Sequence, residues 1–95
     1  MSEDVIIPLA GRLTFSENAG FREIVIGLEK HGAAKVVFDL AALDLMDSTG
    51  LGMLLVARET VTEQGGHVAL RNATGQVGRM LDLARFGDFF TMEQV

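Results

Sequence analysis

One stretch, Lys35-Val36-Val37-Phe38-Asp39-Leu40, most constrains the fold of this chain. Its apolar residues are contiguous and do not alternate with polar ones, which is typical of a strand buried on both faces. Such strands belong to parallel sheets, whose strands are joined by crossover connections that are usually helices. The stretch therefore predicts an α/β architecture.

The segments on either side of this strand alternate between helical and extended periodicity. In the first helical segment, apolar residues recur at i, i+3, i+4 and i+7, which places them on one face. The predicted elements are a strand over 5–10, a helix carrying Phe21 to Leu28 and ending at Gly32, the strand over 35–40 with a short connection over 41–44, a helix from about Thr49 to Glu63, a short strand over 67–70, a helix carrying Val77 to Ala84, and a last short strand over 89–92. Because helical crossovers return each strand in the same direction, the sheet is predicted to be mainly parallel.

The first strand is predicted to lie at an edge of the sheet, because Pro8 has no N–H to donate to a neighbouring strand. Gly11-Arg12 reads as a turn or bulge within a hairpin-like start that continues through Leu13. We therefore predict a single small domain over residues 1–95, with four or five mainly parallel strands, an antiparallel N-terminal edge and three to four helices.

The turn Asp47-Ser48-Thr49-Gly50-Leu51-Gly52 joins an apolar run to a long amphipathic run. Ser48 stands where a helix N-cap belongs, since a serine side chain accepts a hydrogen bond from a first-turn N–H. Gly50 and Gly52 carry no Cβ, so another molecule can approach this turn closely. A phosphate on Ser48 would suit the helix N-terminus and be repelled by Asp47. The turn is therefore a candidate phosphorylation and binding site.

Cofactor and metal chemistry find little support in the sequence. Gly50-Leu51-Gly52 begins like a dinucleotide fingerprint, but the third glycine position holds Leu55, and no acidic residue follows at the required distance. A Gly-Lys-Ser/Thr phosphate loop is absent, as are cysteines and histidine pairs with metal-ligand spacing. We predict neither a cofactor nor a metal.

Two catalytic interpretations of the same turn are also disfavoured. As a phospho-accepting aspartate, Asp47 would need a nearby lysine, and Lys30 and Lys35 both precede it. As a hydrolase nucleophile, Ser48 would need a histidine, and His67 opens a strand at the opposite edge of a parallel sheet. We predict no catalytic residues and a protein that is not an enzyme.

The composition excludes two further classes of partner, nucleic acids and the membrane interior. The net charge is −5 with no basic cluster, which makes nucleic acid a poor partner because phosphate binding needs clustered cations. No apolar stretch approaches the roughly 20 residues of a membrane span. The absence of cysteine fits a reducing compartment. We therefore expect a cytoplasmic protein that does not insert into membranes.

Several stretches together resemble the STAS domain, with the closest likeness to bacterial anti-sigma factor antagonists. The signature is carried by Asp39-Leu40, Leu43 and the run from Met46 to Gly52, and the likeness continues through 9–13, 65–70 and 77–86. It thus covers nearly the whole chain.

The resemblance implies a binding switch and not an enzyme. In that family the unmodified domain binds an anti-sigma factor with serine kinase activity, and the sigma factor is released. The kinase phosphorylates the serine that matches Ser48, which weakens the complex, and a metal-dependent Ser/Thr phosphatase reverses the modification. The residues that the resemblance assigns to partner binding are Asp47, Ser48, Thr49, Gly50, Leu51 and Gly52.

The chain departs from the antagonist pattern in two places. Thr14, followed by Phe15, stands where such antagonists often carry an acidic residue. The family usually adds a C-terminal helix, so Phe89 and Phe90 are expected to be less covered, which would favour self-association or a partner contact. The alternative function is a STAS scaffold or transporter-accessory module that acts without phosphorylation. An enzyme or nucleotide binder is the further alternative, which turnover or a retained nucleotide would reveal.

Overall fold

A computed structural model of the chain describes residues 4–32 and 34–95. The predicted domain covers 1–95, and its residues 1–3 and 33 lie outside the described part. Within that part, strands and helices alternate as β1 (Asp4–Leu13), α1 (Asn18–His31), β2 (Lys35–Met46), α2 (Ser48–Glu63), β3 (His67–Arg71), α3 (Gly75–Leu83) and β4 (Thr91–Glu93). Short 3-10 turns at Phe15–Glu17 and Phe86–Asp88 precede α1 and β4.

The strands form a sheet of order β1-β2-β3-β4, and each neighbouring pair is parallel. This confirms the mainly parallel sheet and the edge position of the strand that carries Pro8. The predicted antiparallel N-terminal edge is wrong, because β1 continues through Gly11 to Leu13 beside β2. Gly11 has a φ of 76°, and the β1–β2 register shifts on both sides of it. The chain bulges here and does not reverse its direction.

Alternate residues of the two central strands face the hydrophobic core, namely Val36, Phe38 and Leu40 of β2 and Val68 and Leu70 of β3. Each of the three helices contributes to this cluster, through Phe21, Val25, Leu28, Met53, Leu54, Ala57, Val61, Val77 and Leu81. Full burial of such apolar side chains stabilises the fold by about 1.5–3 kcal/mol each, relative to exposure. The helices thus cover one face of the sheet.

The opposite face of the sheet is covered differently. Val37 and Ala69 are paired in register and buried there, at 1% and 0% exposure. The same face carries Lys35, Arg71 and Glu93, with Lys35 Nζ 2.7 Å from Glu93 Oε2 and Arg71 Nη2 3.3 Å from Glu93 Oε1. Long charged side chains can cover apolar surface with their methylene stems. The contiguous apolar run is therefore buried on both faces, as predicted.

The end of β2 differs from the sequence prediction. The strand runs on to Met46, so residues 41–44, predicted as a connection, remain extended. They do so because β1 continues beside them until Leu13 pairs with Met46. β3 ends earlier, at Arg71, which pairs with Asp39. The last part of β2 therefore has a strand on one side only. β1 and β2 end together, at the edge of the sheet that the carboxyl ends of the strands form.

The C-terminal segment is better covered than the sequence suggested. Phe90 is buried, and its ring stacks on that of Phe86 with centroids 5.1 Å apart. Phe89 is 49% exposed, and Arg58 lies over its ring and donates from Nε to its carbonyl at 2.8 Å. The last strand begins at Thr91 and not at Phe89, since the N–H groups of Phe89 and Phe90 both donate to the carbonyl of Phe86, at 3.0 and 2.9 Å. Self-association through this region stays a prediction.

Candidate functional site

The turn that the sequence singled out lies at the edge where β1 and β2 end. α2 begins at Ser48, and the N–H of Asp47 donates to the carbonyl of Leu13 at 3.4 Å, which ties the turn to β1. Because the strands are parallel, His67 begins β3 at the opposite edge, as predicted. Ser48 therefore cannot be activated by His67.

Asp47, and not Ser48, caps α2. The Asp47 backbone is extended, and its Oδ1 accepts a hydrogen bond from the N–H of Gly50 at 2.9 Å. Its Oδ2 accepts a second bond from the N–H of Phe15 at 3.3 Å. The predicted N-cap role of Ser48 is wrong by one residue. A carboxylate has two acceptor oxygens, so Asp47 can serve the helix and the turn after β1 at once.

This arrangement leaves the side chain of Ser48 free. Ser48 is the first residue of α2 and is exposed, and its hydroxyl has no hydrogen-bond partner among the residues that the structure describes. Thr49 beside it is half-buried. A group on another protein can thus reach the Ser48 hydroxyl without first breaking an intramolecular bond.

The two glycines of the turn have opposite environments. Gly50 is buried, and a Cβ there would collide with the carbonyl oxygen of Leu13 and lie 2.8 Å from Cγ of Met46. The expectation that Gly50 leaves space for another molecule is therefore wrong, since β1 already fills that space. Gly52 is exposed, and a Cβ there would meet no atom within 4 Å. Leu51, between them, is half-buried against the core.

The turn after β1 brings Glu17, to which no sequence prediction pointed, beside Thr14 and Phe15. Phe15 is 71% exposed. Glu17 Oε1 accepts hydrogen bonds from both the N–H and the hydroxyl of Thr14, each at 2.7 Å. These bonds hold the pKa of the Glu17 carboxyl below its usual value, and Arg12, 3.6 Å away, acts in the same direction. A fixed negative charge thus lies beside Thr14. The spacing Thr14-x-x-Glu17 is that of a capping box, so the sequence held the signal.

Gln76 of α3 holds the end of β2 in place. Its Oε1 accepts from the N–H of Met46 at 2.9 Å, and its Nε2 donates to the carbonyl of Met46 at 2.8 Å. The side chain amide thus pairs with both backbone groups of one residue, where β3 no longer extends. Gln76 fixes the residue that precedes Asp47, and no sequence pattern had pointed to it.

A groove of about 400 Å³ runs between α1 and α2. Its lining is mostly apolar and consists of Asn18, Phe21, Arg22, Val25, Thr49, Gly52, Met53 and Val56. Thr49 and Gly52 belong both to this lining and to the predicted partner-binding turn. The groove therefore opens beside Ser48, and the two form one continuous surface.

The double role of Asp47 leads to a testable difference between two substitutions. Asp47→Ala removes the cap and the bond to Phe15, and we expect it to lower the free energy of unfolding by about 1 kcal/mol. Asp47→Asn keeps an oxygen for Gly50 and loses only the exposed bond from Phe15, which water can replace. Because asparagine caps about as well as aspartate, its effect should stay below about 0.5 kcal/mol. Urea unfolding measures both. Equal losses for the two variants would contradict the capping assignment.

The groups on this surface are of the kinds that protein interfaces use. The surface combines a free hydroxyl, an exposed aromatic ring, fixed carboxylates and an apolar groove. Residues 4–32 and 34–95 contain no group of three or more potential metal ligands. In the same ranges no helix is long and apolar enough to cross a membrane. The fold and the site together define a small α/β binding domain.

Comparison with known proteins identifies the family to which this binding domain belongs. The STAS domain profile matches residues 2–95, and the chain belongs to the STAS domain family. The anti-sigma-B factor antagonist of Bacillus subtilis (strain 168) is 29% identical over 85 residues, covering 90% of this chain and 77% of that protein. The anti-sigma F factor antagonist of Paenibacillus polymyxa is 27% identical over 81 residues, covering 84% of this chain and 69% of that protein.

Solved structures share the fold. The anti-sigma factor antagonist SpoIIAA in its unphosphorylated form superposes with a TM-score of 0.75 at 24% identity, covering 97% of this chain and 80% of that one. The phosphorylated form of Bacillus SpoIIAA superposes with a TM-score of 0.75 at 21% identity, covering 100% of this chain and 85% of that one. A sulfate transporter family protein from Wolinella succinogenes superposes with a TM-score of 0.80 at 13% identity, covering 98% of this chain and 80% of that one. At these identities the likeness concerns the fold alone.

Proposed function

We propose that this protein is an anti-sigma factor antagonist that binds an anti-sigma factor with serine kinase activity and is switched off by phosphorylation of Ser48. A Ser/Thr phosphatase restores the binding form. The protein then acts in the cytoplasm, as a regulator of transcription and not as an enzyme. The turn from Asp47 to Gly52 contacts the partner, and Gly50 contributes through the position that it gives the turn.

The observation that carries the proposal is the free hydroxyl of Ser48 at the start of α2. Because Asp47 provides the cap, phosphorylation of Ser48 removes no hydrogen bond on which the described fold depends. The modification adds about −1.5 to −2 charge beside Asp47 and near Glu17. The fold should therefore survive while the surface offered to the partner changes sharply.

The acidic group missing at Thr14 is also replaced in this chain. The ionised carboxylate of Glu17 is held on Thr14 by two hydrogen bonds and is partly exposed at the same edge. A cationic side chain of the partner can pair with it there. The names of the Bacillus and Paenibacillus relatives, both antagonists of anti-sigma factors, support an anti-sigma factor as the partner.

The phosphoryl transfer needs only the hydroxyl from this chain. A bond forms between Ser48 Oγ and the γ-phosphorus of ATP, the bond from that phosphorus to the β-phosphate oxygen breaks, and ADP leaves. The hydroxyl proton passes to a base of the kinase. This chain contributes an accessible nucleophile on a rigid helix start, and the partner contributes the catalytic groups.

We expect intact-mass spectrometry of the protein from its own cells to show one phosphate, which fragmentation assigns to Ser48 and which Ser48→Ala lacks. In binding titrations with the co-purifying kinase, Ser48→Ala should bind as the unmodified protein does. Ser48→Asp should bind at least about tenfold more weakly, a difference of about 1.4 kcal/mol.

Thr62→Asp is the matched control, because it adds the same charge at an exposed hydroxyl residue of α2, near the end of the helix that lies away from the turn. Its effect on the affinity should be much smaller than that of Ser48→Asp. Identical binding of the wild type, Ser48→Ala and Ser48→Asp would show that Ser48 is not a switch.

A STAS module that acts without phosphorylation is the second candidate, favoured by the fold shared with the Wolinella sulfate transporter family protein. Such a scaffold or transporter-accessory module would show an unmodified mass under growth and stress conditions alike. It would also retain a stable scaffold or membrane component regardless of the residue at position 48.

A further inference from the structure

A cation lines the groove that opens beside the Ser48 turn. Arg22 of α1 lines the groove together with Thr49 and Gly52 of α2. It is exposed, and it has no hydrogen-bond or ion-pair partner among residues 4–32 and 34–95. The other cation of this edge, Arg12, is already paired with Glu17.

Helical spacing places Ser48 next to this groove. Ser48 precedes Gly52 by four residues, so the two lie on one face of α2, one turn apart. α1 and α2 follow parallel strands and run in the same direction, which brings their N-terminal halves side by side. Packed helices lie about 8–10 Å apart, a gap that an extended arginine side chain crosses.

Gly52 leaves the path between the two side chains open. It is exposed, and a Cβ there would meet no atom within 4 Å. Any larger side chain at this position would stand between Ser48 and the opening of the groove. The turn therefore offers a modified Ser48 free space toward Arg22.

We propose that a phosphate on Ser48 is received by Arg22 across Gly52, so that the modified side chain lies over the opening of the α1–α2 groove. Guanidinium groups pair with phosphate oxygens through two parallel hydrogen bonds, which gives the contact a defined geometry. Phosphorylation then changes the surface in two ways. It adds negative charge beside Asp47, and it closes the apolar groove that continues from the binding turn.

This inference rests on the proposed function for the presence of the phosphate, but its test does not. Phosphoserine is inserted at position 48 during translation, and the phosphate is followed by 31P NMR through a pH titration. The second pKa of phosphoserine is about 6. Asp47 and Glu17 tend to raise it, and both remain in every variant that is compared.

In the phosphorylated protein, we expect Arg22→Gln to raise the phosphate pKa by about half a pH unit, the scale of an exposed ion pair. Arg22→Lys should restore part of the difference, and added salt should diminish it. Arg12→Gln is the matched control, since it removes the same charge at the same edge, and its shift should be clearly smaller.

An unchanged phosphate pKa in Arg22→Gln would overturn the inference, as would a larger shift in Arg12→Gln. Neither result depends on a kinase. A protein that carries no phosphate in its own cells would refute the proposed switch and leave the measured pairing with Arg22 intact.

Discussion

Gly50→Ala should destabilise the protein by about 2–3 kcal/mol, although alanine is the better helix former. The added methyl group would collide with the carbonyl oxygen of Leu13 and lie 2.8 Å from Cγ of Met46. The carbonyl belongs to the backbone at the end of β1 and cannot rotate away. α2 would have to move off the sheet at its first turn, where Ser48 is presented. Urea unfolding measures the loss.

Gly52→Ala is the matched control for this prediction, two residues further along α2. A methyl group there meets open space, so only the helix propensity changes. We expect an increase of about 0.5–1 kcal/mol in the free energy of unfolding. The two substitutions are chemically identical, so opposite signs would isolate the contact with β1. A neutral or stabilising Gly50→Ala would show that the helix start tolerates displacement.

Gln76→Ala should lower the free energy of unfolding by about 2 kcal/mol, because it leaves the N–H and the carbonyl of Met46 without their partners. Met46 is 1% exposed, so water replaces the lost hydrogen bonds poorly. We also expect faster hydrogen exchange at the Met46 amide, since the end of β2 opens more easily. The faster hydrogen exchange should extend to the Ser48 amide, because Asp47 connects Met46 to the start of α2.

Gln64→Ala provides the comparison for Gln76. Gln64 also donates from Nε2 to a backbone carbonyl, that of Glu29 at 2.8 Å, but the bond is exposed. Water can replace an exposed partner, so the loss should stay below about 0.5 kcal/mol. Similar losses for the two glutamines would mean that the contacts of Gln76 with Met46 do not hold the strand end.

Much of the fold was predictable from local pattern. The contiguous apolar residues of β2 predicted a strand buried on both faces, and the helical spacing from Phe21 to Leu28 predicted α1. The edge position of Pro8 followed from its missing N–H. These features depend on neighbouring residues in the chain, so the sequence contains them directly.

Two of the errors have a common cause, since they depend on contacts between distant parts of the chain. The end of β2 was placed too early because β1, more than 30 residues away in sequence, keeps residues 41–44 extended. The N-cap prediction differs for a local reason, since Asp47 and Ser48 are both good capping residues and the cap bond joins Asp47 to Gly50, three residues on. Gly50 was interpreted as open because the carbonyl of Leu13 was not known to lie against it.

The sequence by itself determined the alternation of strands and helices, the family resemblance and the turn that carries Ser48. Only the tertiary structure decided which groups of that turn face solvent. It filled the space at Gly50, used Asp47 for the cap, placed the Glu17 carboxylate beside Asp47, and placed Arg22 in the groove that the turn borders. Short-range periodicity is encoded residue by residue, whereas the neighbours of a side chain are fixed only when β1, α1 and α2 pack together.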